Sequence, residues 1–158
     1  MIFVTLGTQD KKFHRLLDEI QRLIDKKVID EEVIVQAGQT KYTSNDMKII
    51  NFVTMDDFEK YIQNCRFLIT HGGVGSIING LNHSKKVIAV ARLAKYVEHE
   101  NDHQVEIVKE FSEKSYILGC LNVEELEEKL NLIDEFEPQM YTSNKEYFCS
   151  LVNELIMK

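Results

Sequence analysis

Six short apolar runs, at residues 2–6, 32–36, 49–53, 67–70, 87–90 and 116–118, are separated by stretches whose apolar residues recur at helical spacing. In residues 10–27 the spacing is carried by Phe13, Leu16, Leu17, Ile20, Leu23 and Ile24, and in residues 103–114 by Val105, Ile107, Val108 and Phe111. Residues 56–64, 75–83, 123–130 and 143–157 read as further helices. Short strands that are apolar on both faces and alternate with helices require a parallel sheet covered on both sides. The expected fold is therefore α/β, a Rossmann-like doubly wound parallel sheet, in one domain spanning residues 1–158. Such sheets bind ligands outside the carboxyl ends of their strands. Those ends carry Gly7 and Thr8, Gly38, Phe52 and Val53, the segment from His71 to Gly73, and the loop after Val90.

The turn after the fourth run concentrates the chemistry. Gly72, Gly73, Val74, Gly75 and Ser76 join a strand directly to a helical pattern, and a helix start presents backbone N–H groups that suit an anion. The segment lacks both the Gly-x-Gly-x-x-Gly spacing of dinucleotide folds and the Lys-Ser/Thr end of a P-loop. By itself it fits an anion cradle or a ligand-free strand-to-helix turn equally. Ser76 has two competing uses, as N-cap or as a hydroxyl donor to phosphate. His71, just before the turn, reads as a group that polarises a phosphate or as a hydrogen-bonded strand end.

Charge and cysteine usage narrow the field. A formal charge of −7 and a pI near 5.3, with no Lys/Arg stripe, exclude a general nucleic-acid binder. Cys65, Cys120 and Cys149 are far apart and lack metal-ligand spacing, so reduced thiols are expected, with Cys65 and Cys120 in the core. Glu98, His99, Glu100, Asp102 and His103 lie in a loop without the paired helical spacing of a zinc site, and no metal is expected there. The glutamates at 124, 125, 127 and 128 read as a solvated face near a helix start. No apolar run approaches the ~20 residues of a membrane span. No basic segment precedes residue 2, so no signal peptide is expected.

Four segments in order resemble the C-terminal half of glycosyltransferases of family 28: residues 3–8, residues 36–42, residues 70–77 and residues 101–104. The likeness covers roughly residues 1–120 and is nearest to the short, single-domain subunits of two-part transferases. Subunits of that type add the second N-acetylglucosamine to dolichol-linked oligosaccharide or build bacterial capsule and exopolysaccharide. The resemblance implies the donor-binding half of a GT-B enzyme. A UDP-sugar would be the donor, no cofactor would be needed, and a membrane-associated partner subunit would carry the acceptor-binding half. The acceptor would be lipid-linked and the chain cytoplasmic, peripheral to the membrane through that partner, with residues 141–158 as a C-terminal helix able to dock on it.

Carried over by position, Gly7 and Thr8 would approach the diphosphate from the first loop, and the turn of Gly72, Gly73, Val74, Gly75 and Ser76, with His71 before it, would hold it. Phe52 and Val53 would meet the uracil, and His103 and Gln104 the sugar. Asn79 falls where relatives usually place a ribose-binding glutamate, and Lys86 where they commonly place proline. The resemblance thus implies a hexosyltransferase active with a partner. The neutral Asn79 favours the alternative of a non-catalytic interaction subunit with weak nucleotide binding. A stand-alone epimerase-like enzyme would need both halves in one chain.

Overall fold

The computed structural model describes residues 1–141, 152, 153 and 156. In chain order the elements are β1 (Ile2–Thr5), α1 (His14–Asp25), β2 (Val33–Gln36), β3 (Met47–Ile50), α2 (Met55–Asn64), β4 (Phe67–His71), α3 (Val74–Asn82), β5 (Lys86–Val90), α4 (His103–Glu113), β6 (Leu118–Cys120) and α5 (Leu126–Leu132). Single 3-10 turns occupy Ala94–Tyr96 and Val123–Glu125.

The six strands form one sheet in the order β3-β2-β1-β4-β5-β6, every pair parallel. Successive side chains of a strand point to opposite faces. Val4, Ile69 and Ile88 accordingly join Leu16, Leu17, Ile20 and Leu23 of α1 and Leu126 of α5 in one core. Their neighbours Phe3, Leu68 and Val87 join Ile62 of α2, Ile77 and Leu81 of α3 and Ile107, Val108 and Phe111 of α4 in the other. The chain moves outward from β1 in one direction through β2 and β3, then in the other through β4, β5 and β6. Right-handed crossovers in opposite directions must put their helices on opposite faces, which is the arrangement observed. The reversal falls between β1 and β4, so the crevice for a ligand opens between the loops after Thr5 and after His71.

Several boundaries differ from expectation. The third strand runs over Met47–Ile50 and leaves Asn51, Phe52 and Val53 in a loop. Ser44 Oγ accepts from the N–H groups of Asp46 and Met47 and starts the strand early. Thr54 then N-caps α2 by accepting from Asp57 N at 3.1 Å, so the chain has already left the sheet. The sixth strand is Leu118–Cys120, because Tyr116 and Ile117 pack into the second core instead. The first helix begins at His14, since Phe13 at its N-cap donates its N–H to Thr40 Oγ1. Lys86 has its own explanation: its ammonium donates to the carbonyls of Ile133 and Asp134, just beyond the end of α5. Cys65 and Cys120 are free and buried, as expected. Of the expected C-terminal helix, Val152 is half-buried against the second core, while Tyr147, Phe148, Leu151 and Leu155 lie outside the described residues.

Candidate functional site

Three loops meet at the crevice, and glycine is what lets them meet. Gly7 and Gly38 have φ of +75° and +57°, a region that side chains disfavour. A Cβ on Gly38 would stand 2.4 Å from the carbonyl oxygen of Gly7, and one on Gly7 would stand 2.5 Å from His71 Nε2. A Cβ on Gly73 would stand 2.2 Å from His71 Cε1. The imidazole is therefore sandwiched between the first loop and the glycine turn. A side chain at Gly73 would strike this ring before it reached any ligand.

The state of His71 follows from Gln104. The buried Gln104 carboxamide accepts through Oε1 from Gly72 N at 3.2 Å and Arg92 N at 3.1 Å, which fixes its orientation. Its Nε2 must then donate to His71 Nδ1, 3.2 Å away. The neutral ring consequently carries its proton on Nε2, the atom facing Gly7 and Gly73. Burial, joined by the charges of Arg92 and His99, lowers the His71 pKa to about 3, so the ring is a neutral N–H donor at neutral pH.

Above the ring, α3 starts at Val74 with Gly73 as N-cap and no side-chain cap. The N–H groups of Val74, Gly75 and Ser76 have no intrahelical acceptors, while Ile77 N closes the first turn on Gly73 O at 3.2 Å. Ser76 is the third residue of the helix, so the N-cap option is set aside. Gly75 is exposed, with no atom within 4 Å of the Cβ it lacks. Open amides and the helix dipole meet at this corner, beside a ring whose Nε2 lies against Gly7 and Gly73, an arrangement that suits an anion.

The other expected residues fall in different places. Gly7 N is already hydrogen-bonded to Thr5 Oγ1 at 3.3 Å and Gly72 N to Gln104, so neither amide is open; Thr8 is exposed. Gln104, expected to meet the sugar, is 3% exposed with both ends of its carboxamide bonded to protein groups, and it braces His71. His103 begins α4 half-buried, with its N–H accepted by Asn101 Oδ1 at 3.0 Å. Phe52 (52% exposed) and half-buried Val53 stand beyond edge strand β3, with β2 and β1 between them and the turn. Asn79 lies one turn beyond Ser76, half-buried, its carboxamide without a hydrogen bond among the described residues. No group of His, Cys, Asp and Glu among the described residues is arranged to hold a metal.

Arg92 was passed over by sequence reasoning, and Glu98 was weighed there only as a metal ligand. Arg92 follows β5, is 1% exposed, and donates through Nη2 to Leu6 O at 2.6 Å. Glu98 accepts from Arg15 at 2.7 and 2.9 Å and from Leu93 N at 3.1 Å, pinning the loop after β5. The only available signal for Arg92 was its place just after the apolar run from Val87 to Ala91.

Residues 1–156 match the glycosyltransferase family 28 C-terminal domain, and the chain belongs to that family. Among characterised proteins it is similar to the UDP-N-acetylglucosamine transferase subunit ALG13 of Candida albicans, 31% identical over 94 residues. That match covers 60% of this chain and 30% of the relative, so the chain spans under a third of the length of the curated relative it matches. Among solved structures it resembles the NMR structure of ALG13 (TM-score 0.63, 20% identity, 99% of this chain and 96% of that one). It also resembles the UDP-GlcNAc 2-epimerase of Methanocaldococcus jannaschii (TM-score 0.62, 14% identity, 97% and 45% of the two chains). The glycosyltransferase SnogD of Streptomyces nogalater is a third (TM-score 0.58, 17% identity, 85% and 34%). The chain is thus a Rossmann-like domain of this family.

Proposed function

We propose that this chain is the donor-binding, catalytic subunit of a heteromeric inverting glycosyltransferase. It moves a hexose or N-acetylhexosamine from a UDP-sugar to a lipid-linked acceptor in polysaccharide or glycan biosynthesis, as in capsule or exopolysaccharide assembly. The observation that carries this reading is the seating of the His71 ring against Gly73, the N-cap of an α3 that has no side-chain cap, at the switch point of the sheet. The similarity to a protein named as a UDP-N-acetylglucosamine transferase subunit supplies the substrate class.

In the reaction an acceptor hydroxyl oxygen attacks C1 of the sugar. The bond from C1 to the diphosphate oxygen breaks, and UDP leaves with the bonding electron pair. The hydroxyl proton passes to a base, which we assign to no residue of this chain. Negative charge grows on the leaving diphosphate, and donors already fixed in place stabilise it without reorganising. His71 Nε2 and the amides of Val74, Gly75 and Ser76 are those donors, and the UDP-sugar enters as substrate with no resident cofactor invoked.

One Rossmann-like domain supplies one wall of a GT-B cleft, and we assign the acceptor side to a membrane-associated partner subunit, a reading supported by the similarity to a protein named as a transferase subunit. The chain would work at the cytoplasmic face through that partner, and no helix among the described residues is long and apolar enough to cross a membrane. The test is calorimetric titration with UDP, followed by sugar transfer with and without a membrane-associated partner subunit. UDP binding to the isolated chain, with turnover only in the complex, is the expected result. Absence of UDP binding in both forms would sink the proposal.

A second reading, a non-catalytic interaction subunit, is favoured by one observation: a neutral Asn79 stands where a ribose-binding carboxylate would. UDP binding without turnover in the complex would select it.

A further inference from the structure

Arg92 is a fully buried guanidinium with few partners. Its Nη2 donates to Leu6 O, while Nε and Nη1 are buried without a hydrogen bond among the described residues. A buried charge left unsatisfied is costly, and proteins rarely retain one without compensation. The nearest compensating groups fall short. The ring of Phe13 lies 5.5 Å from the guanidinium carbon. Glu98, whose charge favours the cation, directs its carboxylate to Arg15 and Leu93 N instead. Burial lowers the Arg92 pKa only to about 10, so the cation persists at neutral pH.

Its position gives that charge a direction. The Arg92 backbone N–H is held by Gln104, the same amide that orients His71, and its side chain reaches the carbonyl just before Gly7. It therefore lies behind the two loops that flank the crevice, close enough for its charge to disfavour protonation of His71. In a low-dielectric interior such a charge acts over a longer range than in water.

We infer that the buried guanidinium of Arg92 is the fixed positive charge that selects a diphosphate at the Gly7–His71–Gly73 corner, acting from behind the first loop as a positioning residue. This rests on the proposed function and deepens it, because it states why a nucleoside diphosphate is held in preference to a nucleoside. The bound diphosphate in turn compensates the orphaned cation. The open amides of α3 supply direct hydrogen bonds, and Arg92 supplies the net charge that amides lack.

The experiment compares the affinities of UDP, uridine and inorganic pyrophosphate for the wild-type chain and for Arg92→Lys, Arg92→Gln and Arg92→Met, each checked for cooperative melting. Gln keeps a donor for Leu6 O but removes the charge, and Met removes both. The UDP-to-uridine affinity ratio should fall by about tenfold or more in Gln and Met, with uridine affinity unchanged, and should stay within about threefold of wild type in Lys. An unchanged ratio in the neutral variants, or UDP and uridine affinity falling together, overturns the inference. If neither neutral variant folds, Arg92→Lys decides: a retained ratio supports the charge and a lost ratio refutes it. Arg92-dependent pyrophosphate binding with no added affinity from uridine would keep the charge site and remove the nucleotide reading. UDP binding with an Arg92-independent ratio would do the reverse, and binding of neither UDP nor pyrophosphate would overturn both.

Discussion

The carboxamide nitrogen of Gln104, at the start of α4, lies 3.2 Å from Nδ1 of His71, at the end of β4. Because Gln104 Oε1 is already committed to two backbone N–H groups, this contact has one polarity, and it sets which nitrogen of His71 faces the crevice.

Gln104→Glu should reverse that polarity. The carboxylate would still accept from Gly72 and Arg92 but would also demand a proton from Nδ1, leaving Nε2 as an acceptor toward the crevice. UDP affinity should drop by about tenfold, with uridine affinity little changed. Imidazole 15N shifts report the tautomer directly, and an unchanged Nε2–H form with unchanged UDP affinity would dissociate the pair from binding.

Substitutions at Gly73 and Gly75 should behave in opposite ways. Gly73→Ala places a methyl 2.2 Å from the His71 ring and should lower stability by about 1–3 kcal/mol in a denaturant melt. Gly75→Glu meets no atom within 4 Å and puts a carboxylate in the first turn of α3, where the dipole favours it. Its stability should stay within about 1 kcal/mol of wild type, while UDP binding is abolished by calorimetry. Retained binding would move the anion site away from this helix.

Asn79→Glu addresses the departure from the family pattern. A carboxylate there would make a charged hydrogen bond to a ribose hydroxyl, and UDP should bind about three- to tenfold more tightly. The gain should vanish with a 2′,3′-dideoxy nucleotide, and an equal gain with that analogue would place the ribose elsewhere.

Acid should act through His71. Its folded pKa, about 3, lies below the ordinary 6.5, so the unfolded chain binds the proton first. The contribution from keeping this ring neutral is complete above pH 6.5 and is lost as pH falls toward 3, by up to about 1.4 kcal/mol per pH unit. Between pH 6.5 and 5, above most carboxylate titrations, His71→Gln should flatten the slope of unfolding free energy against pH. An equal slope in both proteins would show that the ring titrates normally.

The double-faced apolarity of runs such as Val87–Val90 made the sheet and its helices readable from sequence, because burial on both sides leaves no polar residue to confuse the period. Edge strand β3 was misplaced for the converse reason. With Lys48 exposed and Ile49 and Ile50 half-buried, it carries little pattern, and the apolar Phe52 and Val53 drew the assignment past its end. The glycine turn was legible as a strand-to-helix junction. What the turn is built around was not, since the contacts joining His71, Gln104 and Arg92 arise only when β4, β5 and α4 assemble. The bracing of His71 by Gln104 had no sequence signal, since the two residues lie 33 positions apart. Arg92 carried one faint local mark, its place just after the apolar run from Val87 to Ala91.

The succession of Gly38 against Gly7, Gly7 against His71 and His71 against Gly73 has a consequence for engineering and for descent. Each loop is shaped to the next, so none can be exchanged alone. A chimera that imports a foreign segment after β4 inherits clashes with the host loops after β1 and β2. Crevices of this kind should therefore be transplanted, and should diversify, as one interlocked block drawn from three separate stretches of chain.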